Sequence, residues 1–250
     1  MKKKALLIIP ALVAAGAAVG YYKTHKPIEG DKEEFLPDPA KKKETELDGK
    51  TIIFLGSSVT YGRDDISFVE YLKKEYGVNI VKEALSGTTL VDKVLFGKKP
   101  YVQRIKSIDK NLSPDLFVCQ LSTNDATTKR PLGQVGESFD IDSFDINTVA
   151  GAIEYIIAYA KKTWHCPVAF YTNTRYDSEH YEAMVKLLLQ IKDKWNIGVI
   201  DLYNELDGGS YSQDRLKLYM ADKIHPSLAG YKEWWTPFFA KKIMEILKEQ

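Results

Sequence analysis

Cysteine and histidine are scarce in this 250-residue sequence, with two of the first and four of the second. There is no Cys-x-x-Cys pair and no two histidines stand at helical spacing, so the sequence signs of a zinc site are missing. Cys119 lies in an apolar run and Cys166 just before another, which predicts two buried free thiols in place of a disulfide. An excess of either charge is also lacking: 35 basic residues stand against 34 acidic ones, a formal net charge of +1. That balance excludes nucleic acid as an expected partner, since such partners demand a basic face. Internal repeats and low-complexity tracts are absent too. With 44% hydrophobic and 28% charged residues, the composition is that of a globular chain able to bury a core without staples.

What the sequence does carry begins with Met1-Lys2-Lys3-Lys4, ahead of an apolar run over 5–22 broken only by Pro10 and small glycines. A basic stretch before an apolar one reads as an export address. As a helix the run would extend about 27 Å at roughly 1.5 Å per residue, near the ~30 Å of a bilayer's hydrocarbon core. Its length, and Lys23 and Lys26 directly after it, favour a retained membrane anchor. The small residues over 14–18 also fit a signal-cleavage region, which leaves secretion open. In both cases the rest of the chain is expected outside the cytoplasm. Residues 23–48 carry Pro27, Pro37, Pro39 and Lys41-Lys42-Lys43 with almost no apolar periodicity, and read as a polar, solvated linker. The globular domain is expected over 49–250.

Within that domain, short apolar and β-branched runs alternate with segments of helical period. Strands are predicted over 51–55, 79–84, 115–121, 168–172 and 197–202. Between them, Ala152, Ile153, Ile156, Ile157, Ala160 and Trp164 form one helical stripe, and Tyr181, Met184, Val185, Leu188 and Leu189 another. A last helix over 228–247 contains Pro237, which predicts a kink or a restart there. Near-continuous apolar strands separated by helices imply a three-layer α/β/α sandwich around a five-stranded parallel sheet. In such sheets ligands bind beyond the carboxyl ends of the strands.

Three turns sit at those ends. The first strand runs into Gly56-Ser57-Ser58-Val59-Thr60, the second into Ser86-Gly87-Thr88, and the third into Ser122-Thr123-Asn124-Asp125. Each taken alone is equally a plain turn or helix cap. A serine hydroxyl is a poor nucleophile unless a neighbour takes its proton, so a base is needed. His25 falls in the linker, His165 at a helix end and His180 at a helix start. His225 alone follows the last strand, in Asp222-Lys223-Ile224-His225-Pro226, with a carboxylate three residues earlier that can orient an imidazole. Capping of a helix beginning at Pro226 is the competing reading of that pair.

Taken together, Gly56-Ser57-Ser58-Val59-Thr60, Gly87, Asn124-Asp125 and Asp222-Lys223-Ile224-His225-Pro226 resemble the four ordered blocks of the SGNH (GDSL-like) hydrolase family. The resemblance runs from about Thr51 to the C-terminus. It implies a flavodoxin-like fold and ester hydrolysis without metal or cofactor. Ser58 matches the family nucleophile, His225 its base and Asp222 the partner of that base. The Ser58 and Gly87 backbones and the Asn124 side chain match the oxyanion donors. Two positions depart from the pattern: Ser57 stands where many members have Asp, and Ser122 where the third block usually has Gly.

The expected substrate is an acyl ester, with a small acyl group such as acetyl on cell-envelope or extracellular glycans favoured by the expected location. A lipase or lysophospholipase, an O-acyltransferase and a catalytically silent glycan-binding surface protein are the alternatives. Residues 129–147 are long enough to rim the site or to form a plain surface loop.

Overall fold

A computed structural model describes residues 28–206 and 212–249. Five strands, β1 (Thr51–Gly56), β2 (Asn79–Ala84), β3 (Leu116–Gln120), β4 (Val168–Tyr171) and β5 (Gly198–Ile200), form one sheet in the order β2-β1-β3-β4-β5. Every pairing is parallel, with Ile53 opposite Val81 and Phe117, and Cys119 opposite Phe170. The helices used below are α1 (Ser58–Tyr61), α2 (Phe68–Tyr76), α3 (Tyr101–Arg104), α4 (Thr123–Thr127), α5 (Val149–Trp164), α6 (Glu179–Trp195), α7 (Leu202–Glu205), α8 (Gln213–Tyr219) and α9 (Thr236–Lys248).

The apolar strands bury both faces because successive side chains point to opposite sides. Ile53, Leu55, Phe117, Cys119 and Phe170 join α5 and α6 in one core. Ile52, Phe54, Val118 and Tyr171 join α2 and α9 in the other, where Phe68 stacks on Phe239 at 3.8 Å and meets Tyr171 edge-on at 5.4 Å. Both cysteines are buried and free. Thr148 and Ser178 cap the starts of α5 and α6, and His165 and Asn196 end them in left-handed conformation. Residues 230–235 form a π-helical turn, and the α-helix restarts at Thr236 with Pro237 in its first turn, where a missing N–H is tolerated.

Residues 28–48, read from sequence as a solvated linker, instead pack on the domain. Gly30 and Leu47 are buried. A Cβ on Gly30 would lie 2.0 Å from the Leu218 carbonyl oxygen, so the chain approaches at a distance only glycine allows. The Asp31 carboxylate pairs with Arg63 at 2.9 Å and accepts the Leu228 N–H at 3.0 Å. The segment is built of single-turn 3₁₀ helices and isolated anchor residues, which leave no periodic signal in the sequence. Among the described residues no helix is long and apolar enough to cross a membrane; the run over 5–22 lies outside them.

The chain order reverses between β1 and β3, since β2 lies on one side of β1 and β3 on the other. A crevice opens at such a point beyond the strand ends, and the three turns singled out above converge there.

Candidate active site

The end of β1 is forced into a tight turn by its own side chains. A Cβ on Gly56 would sit 1.7 Å from Thr60 Oγ1 and 2.8 Å from Gln120 Oε1, so only glycine fits. Gln120, buried at the end of β3, gathers the turn: its Oε1 accepts from the Ser57 N–H at 2.8 Å and from Thr60 Oγ1 at 2.8 Å. Thr60 Oγ1 is in turn 2.7 Å from the Tyr171 hydroxyl, and the Tyr231 hydroxyl donates to the Val59 carbonyl at 2.9 Å. Ser58 therefore opens α1 on a braced backbone.

His225 reaches it from the other side. Ser58 Oγ and His225 Nε2 are 2.8 Å apart, while His225 Nδ1 lies 2.9 Å from Asp222 Oδ2 and 3.1 Å from Oδ1. A carboxylate at Nδ1 places the ring proton there and leaves Nε2 as the acceptor of the serine proton. Asp222 Oδ1 also accepts the Ile224 and His225 N–H groups at 2.7 and 2.8 Å. Burial pushes the Asp222 carboxyl up, but these N–H bonds and the imidazole outweigh it and hold the group below the ordinary carboxylate range. The 220–226 loop is closed by the Ala221 N–H on the His225 carbonyl at 2.9 Å, and Asn173 Nδ2 ties it to the end of β4 through the Ile224 carbonyl at 3.2 Å.

The residues expected from sequence to donate to an oxyanion lie across the crevice. Gly87 has φ +80°, a left-handed conformation that glycine adopts without strain. Among the described residues, neither the Gly87 N–H nor the Ser58 N–H has a hydrogen-bond partner. Asn124 Nδ2 donates to the Thr88 carbonyl at 2.9 Å and to Ser57 Oγ at 3.2 Å. Ser57 thus does something definite in the place of the family's Asp: its hydroxyl orients the Asn124 amide. Ser122, in the place of the family's Gly, caps α4 by accepting the Asn124 N–H at 3.2 Å and donates to the Thr88 carbonyl at 3.3 Å.

The sequence reading missed one residue that braces this arrangement, Arg104, and gave a second, Asp125, no role of its own. Arg104, 5% exposed, donates to the Gly56 carbonyl at 2.7 Å, the Thr88 hydroxyl at 3.1 Å, the Glu83 carbonyl at 3.0 Å and the Glu83 carboxylate at 2.8 Å. One guanidinium fork therefore joins the ends of β1 and β2. Its signal was a charge set against the apolar stripe of Tyr101, Ile105 and Ile108. Asp125, fully buried, accepts the Leu90 and Val91 N–H groups at 2.7 and 3.2 Å and so ties α4 to the chain after Gly87. Burial pushes its carboxyl up to about 6, against the lowering effect of the Leu90 N–H and the Ser122 hydroxyl.

A model of the GDSL-like lipase and acylhydrolase family matches residues 54–233. The chain belongs to the GDSL-like lipase/acylhydrolase family. This acylhydrolase is an esterase/lipase-type hydrolase on that ground, and solved structures share its fold. A Lactobacillus plantarum protein is 20% identical over 82% of this chain and 99% of its own, with a TM-score of 0.62. A member of the lipolytic protein G-D-S-L family from Veillonella parvula is 19% identical over 81% and 100%, with a TM-score of 0.54. A carbohydrate acetylesterase family member from Sinorhizobium meliloti is 16% identical over 80% and 99%, with a TM-score of 0.57. A search among curated proteins gives no match.

The other histidines of the acylhydrolase stand away from the crevice: His165 ends α5, and His180 Nε2 is bonded to the Arg130 carbonyl at 2.9 Å. His25 lies outside the described residues. Residues 131–147 lie along α5 and α6, where Glu154 accepts the Gly136 N–H and pairs with Lys194, and Phe139 meets Trp195 edge-on at 4.9 Å. A cavity of about 770 Å³ opens beside Asp222 and Lys223, lined by Arg175, Tyr176, Tyr203, Asn204, Leu216 and Met220 among others.

Proposed function

We propose that the chain is a serine esterase that removes a small acyl group, such as acetyl, from cell-envelope or extracellular glycans. The reading is carried by one observation, the 2.8 Å contact between Ser58 Oγ and a His225 ring whose other nitrogen rests on Asp222. In the first half of the reaction His225 Nε2 takes the Ser58 proton as Oγ adds to the ester carbonyl carbon. The carbonyl electron pair moves to oxygen, and the oxyanion is received by the Ser58 and Gly87 N–H groups and by Asn124. Asn124 frees an N–H by giving up its longer bond, to Ser57. Collapse then expels the alcohol, which takes the proton from His225. In the second half His225 deprotonates water as its oxygen adds to the acyl-serine carbonyl, and collapse releases the carboxylic acid while Ser58 Oγ takes the proton back from His225. Asp222 keeps the ring in the tautomer that both halves require and stabilises its charged form.

Three observations support the acyl preference and the substrate. The cavity beside Asp222 has the volume of a sugar-sized group rather than of an acetyl, and its tyrosines, Arg175 and Asn204 are of the types that stack on and hydrogen-bond to carbohydrate. The fold is shared with a carbohydrate acetylesterase family member. The apolar run over 5–22, as an anchor or signal, would set the enzyme outside the cytoplasm, where such polymers are met first.

A p-nitrophenyl ester series from acetate to palmitate, run beside Ser58→Ala, tests the reading. Short-chain turnover that vanishes in the variant supports it. A long-chain preference moves the substrate to lipids, and turnover only with an added sugar acceptor makes the enzyme an acyltransferase. No turnover by folded protein leaves the silent binding protein.

A further inference from the structure

Between Gly87 and α3 the chain makes a hairpin turn whose tip faces solvent. The Lys98 N–H closes it on the Leu95 carbonyl at 2.9 Å, and the two tip residues are Phe96 and Gly97. Such a turn requires positive φ at both positions, which Asn-Gly or Gly-Gly accept readily. Here Phe96 adopts φ +51° and Gly97 φ +74°. A bulky residue held in the left-handed region costs conformational energy, and that cost marks a functional constraint rather than an adequate surface turn. Phe96 is also 93% exposed, and Val94 beside it is 49% exposed.

The surroundings of these two apolar side chains are cationic. Lys93 and Lys99 are exposed, and no carboxylate of the described residues pairs with either. Lys98 turns back to donate to the Ser86 carbonyl at 2.8 Å, and a Cβ built on Gly87 would have the Lys98 ammonium 3.9 Å away. The acids at the base of the hairpin, Asp92 on Gln103 and Asp145 on the Asn147 N–H at 3.1 Å, keep their charge, and Lys93, Lys98 and Lys99 outnumber them. An aromatic at a tip with lysines behind it matches the layering of a bilayer interface, apolar at depth and anionic at the headgroups.

We propose that the Val94–Phe96 tip inserts into an anionic lipid surface, with Lys93 and Lys99 on the headgroups. Because Lys98 holds the base of the hairpin against the Gly87 turn, this docking turns the Ser58 crevice toward the bilayer. On the serine-esterase reading above, the hairpin thereby brings the site to esters carried at the membrane surface, those of envelope glycans included. The docking stands on the hairpin alone and does not depend on the acyl preference proposed above.

All four native tryptophans are buried, so a Phe96→Trp full-length chain carries one surface indole. That chain is mixed with phosphatidylcholine vesicles with and without phosphatidylglycerol, and with brominated lipids as quenchers. Phe139→Trp serves as the control, since Phe139 is 60% exposed on the α6 side. It reports any approach to the membrane that the N-terminal run alone would cause. The expected result is quenching and a blue shift of the tip indole in anionic vesicles, well above those of the control indole. Lys93→Glu with Lys99→Glu should weaken docking of the tip, read as quenching of its indole above the control, by about 5-fold or more for each lysine removed. Quenching of the tip indole no greater than that of the control, or equal in neutral vesicles, overturns the proposal. A shift of the tip indole caused by chito-oligosaccharides and not by vesicles also overturns it, and assigns the tip to sugar stacking.

Discussion

Replacing Arg104 by Met should damage both stability and turnover, and the structure sets the scale of each. The guanidinium is 5% exposed and bridges two strand ends, so its loss strands the Glu83 carboxylate and leaves the Gly56 carbonyl only the Leu85 N–H at 3.2 Å. Removing one member of a buried ion pair costs about 3–5 kcal/mol. The Glu83 side chain retains 33% exposure, so water takes up part of its charge and the low end, about 3 kcal/mol, applies. The catalytic effect comes from position. Gly56 lies two residues before Ser58, and Thr88 directly follows Gly87, so the fork fixes the Ser58 turn relative to the Gly87 turn, the two that the proposed mechanism uses. A shift of 1 Å in such a site is worth roughly 10²-fold in rate. Urea unfolding and p-nitrophenyl acetate hydrolysis, measured on the same full-length preparations, should show both losses, with kcat falling about 10²-fold and KM little changed. Arg104→Lys should fall between, because an ammonium cannot reproduce the planar fork. An Arg104→Met variant with wild-type midpoint and kcat would refute the reasoning, and one that loses stability alone would reduce Arg104 to a brace of the fold.

Three further outcomes are expected. Asn124→Ala should lower kcat by roughly 10²- to 10³-fold, the loss of one oxyanion donor, and an unchanged kcat would remove it from the mechanism. Asp125 binds its proton more tightly when folded, so its contribution is full below an unfolded value near 3.8 and is lost as pH rises through about 6. Wild type should therefore lose on the order of 3 kcal/mol relative to Asp125→Asn between those limits, and parallel pH–stability curves would contradict the assignment. Gly30→Ala should destabilise by about 1–3 kcal/mol through overpacking against Leu218 and Ser227, whereas an unchanged melting temperature would return residues 28–48 to the status of a linker.

The sheet was legible because a strand covered on both faces needs continuous apolar residues, and β1 and β3 have them. The grouping of the candidate site was legible for a different reason: the serine, glycine and asparagine blocks sit at strand ends and the histidine block follows the last strand, in a fixed order that outweighs any one block. What escaped were residues whose meaning depends on contacts far along the chain. Gln120 looks like the end of a strand until its amide is seen on Ser57 and Thr60, which lie about sixty residues earlier. Arg104 looks like a surface charge on a short helix, and Gly30 like one more polar-linker residue. Phe96 escaped as well, because a tip is recognised by exposure and by the sign of φ, and neither is written in composition.

The central claim is that Ser58 is an activated nucleophile. Intact-mass analysis and peptide mapping after treatment of the full-length chain with a fluorophosphonate test it most directly. The account predicts a single adduct on Ser58, absent in Ser58→Ala and slowed by several orders of magnitude in His225→Ala. A folded protein that takes no adduct, or one labelled at a different serine, would contradict it.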